Sequence, residues 1–194
     1  MGNTGTMEQD VFYMKRKRTI FTQEDIERAI TRMSYEIIEA HKGVKNIALA
    51  GILTRGDFLA KRIQHKIEML EGLRVPMGVM DINLYRDDWT RISHHPIVRP
   101  SKMPFPVDDK QVILVDDVLF TGRTIRAAMD ALMDFGRPPR IELAVLVDRG
   151  HRELPLQADY KGTTVATLHS DTVNVFLKEY DGEDRVFIEQ DNES

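Results

Sequence analysis

Apolar side chains recur along the chain with two different periods. Between Thr22 and Gly43 they fall at Ile26, Ala29, Ile30, Met33, Ile37 and Ala40, the spacing of one helical face, with Arg28, Thr31, Arg32 and Tyr35 opposite. Thr22 stands where an N-cap belongs, Glu24 and Asp25 fall in the first turn, and Lys42-Gly43 closes the helix. Asn46 to Ile52 is a continuous apolar run of the kind buried on both faces of a parallel sheet. After the loop Leu53 to Asp57, helical spacing returns at Leu59, Ile63, Ile67 and Leu70, and Gly72 ends it. Met77 to Leu84 predicts another strand. From Tyr85 to about Asp109 the chain is polar and rich in proline, with His94-His95 inside it, and reads as one long mobile loop.

Val112 to Val115 is the next buried strand, and Ile125, Met129, Leu132 and Met133 mark a helix running to Phe135-Gly136. Arg140 to Val147 predicts a further buried strand, and Thr163 to Leu168 another. Thr172 to Tyr180 and Arg185 to Ile188 flank Asp181-Gly182-Glu183-Asp184, a hairpin signal. Strands alternating with helices imply an α/β domain, a parallel sheet with helices on both faces. The expected division is a disordered leader over residues 1–18, a single domain over 19–190 and a frayed acidic tail over 191–194. Ligands of such a sheet sit at the carboxyl ends of its strands, so the loops starting near Thr54, Tyr85, Asp116 and Asp148 should converge on one crevice.

Composition narrows the picture by exclusion. A chain of 194 residues, 42% hydrophobic and 30% charged, can bury one good-sized core. Its apolar runs are too short for a membrane span, and no basic region leads into an apolar one at the start, so a cytoplasmic location is expected. The lack of cysteine rules out disulfides, thiolate metal sites and cysteine nucleophiles. A net charge of −4 confines any RNA contact to a local basic patch. Lys15-Arg16-Lys17-Arg18 is one basic run, either a solvated segment or part of a phosphate-binding face.

The chemistry concentrates in Asp116, Asp117, Val118, Leu119, Phe120, Thr121, Gly122, Arg123 and Thr124, between a buried strand and a helix. The unpaired N–H groups of a first helical turn favour an anion. Gly122 permits close backbone approach, Thr121 and Thr124 offer hydroxyls, and Arg123 adds charge. Two adjacent carboxylates are unsuited to gripping phosphate. They suit ribose hydroxyls, or a magnesium ion that arrives on the ligand. Neither the P-loop nor the dinucleotide glycine pattern is present. These residues alone specify a phosphate with a sugar beside it.

The stretch Val112 to Thr124 resembles the phosphoribosyl-pyrophosphate (PRPP) motif of the type I phosphoribosyltransferases. Thr54-Arg55-Gly56, Asp81 to Asp88 and Leu143 to Pro155 occur with it in an order that resembles the pyrimidine operon attenuation regulators of bacteria. The similarity runs from about Thr22 to about Glu189. It implies a type I phosphoribosyltransferase fold with a long flexible loop and a C-terminal β-hairpin. The implied activity is transfer of ribose phosphate from PRPP to uracil, giving UMP and pyrophosphate with Mg²⁺. The implied regulation is uridine-nucleotide-dependent (UMP or UTP) binding to pyrimidine operon leader mRNA, by a homo-oligomer.

By resemblance, Thr54 and Arg55 match the pyrophosphate loop, Arg86 the flexible-loop arginine, and Asp116 to Thr124 the PRPP motif. Asp116, Asp117 and Arg86 are the expected catalytic groups. Arg149 and Val173 match positions that contact base or nucleotide. Thr31, Arg32 and Arg152 match the RNA face, whereas Tyr35, Gln157 and Thr163 stand where histidine, arginine and lysine are usual. A nucleotide sensor with little catalysis, and a purine-directed enzyme, are the alternatives. His151 invites a general-base role but has no partner visible in sequence, so a structural role is expected; His94 and His95 are expected to be exposed.

Overall fold

The computed structural model describes residues 16–85 and 100–190. The leader through Lys15, the tail from residue 191, and Arg86, His94 and His95 in the excursion lie outside the described residues.

In chain order the strands are β1 (Arg16–Phe21), β2 (Ile47–Ile52), β3 (Met77–Met80), β4 (Gln111–Leu119), β5 (Arg140–Asp148), β6 (Tyr160–Thr164), β7 (Thr172–Phe176) and β8 (Arg185–Gln190). The helices are α1 (Gln23–His41), α2 (Gly56–Glu71), α3 (Arg123–Met133) and the single turn α4 (Lys178–Asp181), with a 3-10 turn at Asn83–Tyr85. Five strands form one sheet in the order β3-β2-β4-β5-β6, every neighbouring pair parallel. The other three form an antiparallel sheet ordered β1-β8-β7. The expected α/β architecture is borne out.

Alternation along β4 shows why its sequence is apolar throughout. Ile113 and Val115 join the core beneath α1 and α2, together with Ile26, Ile30, Ile63 and Ile67. Val112 and Leu114 face the opposite core, with Ile125, Ala128 and Leu132 of α3. Val175, Val186 and Ile188 of the small sheet pack into the first of these cores. At the head of α1, Thr22 accepts from the Asp25 N–H while Asp25 accepts from the Thr22 N–H, a reciprocal cap. Hydrogen bonds from Thr22 and Arg28 hold the Asp25 carboxyl down at about 2. Gly72 ends α2 at φ 67°. Among the described residues no helix is long and apolar enough to cross a membrane.

Several expectations are corrected. The strand at Arg16 starts inside the expected leader, because Arg16 to Phe21 finds an edge to pair with on β8, with Lys17 3.1 Å from Glu189. The excursion to Asp109 is not all loop: Lys102 bridges Val79, Val107 is fully buried, and Met103 and Phe105 pack on the α3 side. Strand β6 lies three residues earlier than expected, where Tyr160 is buried with its hydroxyl donating to Glu142 at 3.0 Å. In place of a tight turn, β7 and β8 are joined through α4, which Gly182 ends at φ 85°.

Candidate functional site

Strand β4 continues through the acidic pair to Leu119, so Asp116 and Asp117 are strand residues and not the loop's first members. The turn after it brings Gly122, at φ 94°, to the N-cap of α3, with no side chain capping the helix. A cleft of about 250 Å³ lies there, lined by Val118 to Ile125. An uncapped helix start facing open space is an anion seat. The segment after β5 holds this loop from behind. Glu153 and Leu154 donate backbone N–H groups to the Thr121 carbonyl at 3.0 and 3.3 Å, and the Arg123 Nε donates to Glu153 at 2.7 Å.

The acidic pair is tied down by its own backbone. Asp116 is buried and accepts from the Asp117 N–H at 2.9 Å; Asp117 accepts from the Val118 N–H at 2.8 Å. Burial raises the Asp117 carboxyl above the ordinary aspartate value, and Arg55 pulls it back. Among the described residues no cluster of three or more histidine or acidic side chains forms a metal cage. Two adjacent carboxylates do fit a hard cation that keeps water and substrate oxygens as its remaining ligands.

The neighbouring parallel strand β2 delivers the second loop at its carboxyl end. The Leu53–Thr54 peptide is cis, and Arg55 precedes the first turn of α2. Gly56 is required for space, since a Cβ there would lie 2.3 Å from the Val115 carbonyl oxygen. That contact seats the start of α2 directly against β4 beside Asp116. Arg55 donates from Nε and Nη2 to Asp181 at 2.9 and 2.7 Å, and its guanidinium lies 5.3 Å from the Tyr180 ring centre. The bond to Asp181 raises Arg55 further above the ordinary arginine value, and Arg55 in turn holds Asp181 low.

Arg149 is buried at the end of β5, its guanidinium 4.0 Å from the Phe120 ring centre. It donates to the Leu168 carbonyl at 3.1 Å, its Nε has no partner among the described residues, and burial lowers its pKa. Phe120, His151 and His169 form a triangle of tilted and edge-on rings with centres 5.3–6.1 Å apart. His151 contacts the Thr167 carbonyl through Nε2 at 2.8 Å, a structural partner. The Val173 side chain is in the core, which leaves only its backbone to face a ligand.

Of the residues matched to an RNA face, Arg152 is the most confined. It donates to the carbonyls of Phe120, Gly150 and Leu156 and lies 2.5 Å from Asp148, which ties the loop after β4 to β5. Arg32 donates to Glu36 and to the carbonyls of Lys161 and Gly162. Thr31 lines an open groove on α1 with Glu27, Arg28 and Tyr35. The structure thus brings together Thr54, Arg55, Asp116, Asp117, Thr121 to Thr124 and Arg149, and places Thr31 and Arg32 elsewhere. Sequence reasoning missed Asp181, Tyr180 and His169. Asp181 reads as a turn residue, and its arginine is 126 positions away.

Residues 18–181 match the phosphoribosyl transferase domain family. The bifunctional protein PyrR of Caldicellulosiruptor saccharolyticus is 51% identical over 177 residues, 91% of this chain and 97% of that protein. The proteins of the same name from Deinococcus deserti and Acetivibrio thermocellus are 55% and 56% identical, covering 88% and 86% of this chain and 93% and 90% of theirs. Among solved structures, the hypoxanthine phosphoribosyl transferase of Trypanosoma cruzi superposes with a TM-score of 0.68 over 89% of this chain and 91% of that one, at 17% identity. A likeness at that identity speaks for the fold alone.

Proposed function

The chain belongs to the phosphoribosyl transferase domain family, and we propose that it joins uracil to the ribose 5-phosphate of PRPP, releasing pyrophosphate, and doubles as an RNA-binding regulator of pyrimidine genes. One observation carries the enzymatic reading: the acidic pair of β4 lies between two helix-starting loops, each offering an arginine and a helix start with no side-chain cap at the N-cap. PRPP has the matching layout, an anion at each end and two hydroxyls between.

In this reading Thr121 to Thr124 hold the 5-phosphate and Asp116-Asp117 orient the ribose hydroxyls. Thr54 and Arg55 receive the pyrophosphate, and Arg86 covers it. Arg149, Val118 to Phe120 and the Val173 backbone border the base. Attack of a uracil nitrogen on C1 forms the N–C bond as the C–O bond to pyrophosphate breaks; the uracil proton passes to solvent. Charge develops at C1 and on the leaving group, so catalysis rests on orientation and on charge held in place beforehand. Mg²⁺, brought in by PRPP and met by Asp116 and Asp117, would supply positive charge to the departing pyrophosphate. The reaction is proposed for the cytoplasm and for a homo-oligomer.

Purified protein given PRPP, Mg²⁺ and uracil, guanine or hypoxanthine in turn tests this. Uracil alone should be consumed; turnover of a purine in its place overturns the choice of base. The RNA reading draws on the name the relatives share, bifunctional protein PyrR, and on the exposed groove of α1 around Thr31. A gel shift with pyrimidine operon leader RNA should strengthen with UMP; no shift at low salt leaves the enzyme alone.

A further inference from the structure

The segment between β7 and β8 carries four carboxylates; Glu183 pairs with nearby Arg185 at 3.1 Å, and the other three meet arginines of α2 and the residue before it. Arg62 of α2 donates to Glu179 at 2.9 and 2.5 Å and to Asp184 at 2.9 and 2.7 Å. Among the described residues, Arg55 donates to Asp181 alone. Asp181 is in turn fixed by the Leu177 N–H at 2.8 Å, and Asp184 by the Lys178 N–H at 2.7 Å. The two arginines therefore differ in what remains to them. Arg62 is enclosed by carboxylates on both edges of its fork. A guanidinium has five N–H groups in a rigid plane, and Asp181 takes only the Nε–Nη2 edge of Arg55. The Nη1 group makes no hydrogen bond to the described residues, and Arg55 lies close enough to Asp117 for each to shift the other's pKa. Tyr180 adds a ring beside the same guanidinium, 5.3 Å from its centre.

An arginine clamped along one edge and open along the other is a prepared oxyanion ligand. Its rotamers are already restricted, so less freedom is lost when the anion arrives. Asp181 does not compete for the ligand, because it holds the edge the ligand does not need. From this we infer that Asp181 is a positioning residue for pyrophosphate recognition, acting through Arg55 and never touching the substrate. The inference rests on the assignment of Arg55 to the pyrophosphate side of PRPP. It also gives the C-terminal segment a catalytic purpose beyond closing the small sheet.

Steady-state kinetics and thermal melting of Arg55→Ala, Asp181→Ala, Asp181→Asn and Glu179→Gln test it. Glu179→Gln is the control: it loosens one side of Arg62, leaves Asp184 in place and does not touch Arg55. Losing a charge-assisted pair should raise the KM for PRPP and the inhibition constant of pyrophosphate in parallel, by about tenfold in Asp181→Ala. Asp181→Asn keeps the shape and one acceptor and should fall between Asp181→Ala and wild type. The KM for uracil should stay unchanged in both, and Glu179→Gln should leave all three constants at wild-type values. If Arg55→Ala raises the PRPP and pyrophosphate constants while folded Asp181 variants do not, the positioning role is overturned and the Arg55 assignment survives. If Arg55→Ala changes neither, that assignment falls and the inference with it. Equal effects from Asp181→Asn and Glu179→Gln would mean general bracing of the segment, which also overturns it. Should Asp181→Ala fail to fold, the isosteric Asp181→Asn decides on the same criteria.

Discussion

The two loops that follow the neighbouring strands β2 and β4 both start helices without a side-chain cap and depend on glycine for different reasons. At the start of α3, Gly122 is needed for its backbone: φ is 94°, and an added Cβ would press on the tip of Leu156 at 3.2 Å with no backbone atom in its way. At the start of α2, Gly56 is needed for its emptiness, because a Cβ would drive into the Val115 carbonyl at 2.3 Å. The cations differ as well. Arg123 is paired with Glu153, a neighbour in the loop that follows the adjoining strand, whereas Arg55 depends on Asp181 from the last quarter of the chain. One loop is a local device and the other is assembled over long range. The same contrast explains which of them the sequence announces.

The acidic pair between the loops is the shared element, and its loss should have the largest effect. Asp117→Asn should lower kcat/KM for PRPP roughly a hundredfold or more while leaving the melting curve nearly intact; unchanged turnover would remove the pair from the chemistry. Because burial raises the Asp117 carboxyl and Arg55 opposes that rise, kcat/KM should fall on the acid side as Asp117 takes up a proton. Arg55→Ala should move that acid limb to higher pH; a shift the other way would contradict the proximity of the two groups.

Next come the two glycines, which sharpen the contrast directly. Gly56→Ala should cost about 3 kcal/mol or more of stability, since backbone and not a side-chain tip must yield. Gly122→Ala should cost only about 1–2 kcal/mol, the usual penalty for a side chain in the left-handed region. Chemical denaturation would read both, and equal losses would erase the distinction drawn between them. Smallest is a change outside either loop: Thr22→Ala should cost about 1 kcal/mol at pH 7 through loss of the helix cap. Asp25, held at about 2, contributes its share above the unfolded carboxylate range and loses it as pH falls through its lowered value. The Thr22→Ala deficit should therefore shrink in strong acid.

Much of the fold was legible because buried strands and amphipathic helices leave periodic traces: α1, α2, β2 and β5 lie within about two residues of their expected limits, while β4 runs four residues past its expected end. What escaped was set by partners distant in sequence. Arg16 to Phe21 carries charges with no apolar period, and becomes a strand only because β8 offers an edge. Val107 stands among prolines and acids, yet is buried against the α3 side. In the site, Asp116 to Thr124 form a continuous motif whose residue types state their chemistry. Thr54-Arg55-Gly56 is an ordinary turn until Asp181 and Val115 are placed beside it. Arg152 has the charge for an RNA phosphate, but five neighbouring groups that no spacing rule links to it make it a brace for the loop after β4.

In the proposed reaction the two loops grip opposite ends of one molecule. Equilibrium binding of ribose 5-phosphate and of pyrophosphate with Mg²⁺, measured separately on wild type, Thr121→Ala and Arg55→Ala, tests it most directly. Thr121→Ala should weaken ribose 5-phosphate and spare pyrophosphate, and Arg55→Ala should do the reverse. If both variants weaken the same ligand, or the pattern is exchanged, the two loops do not divide PRPP as described.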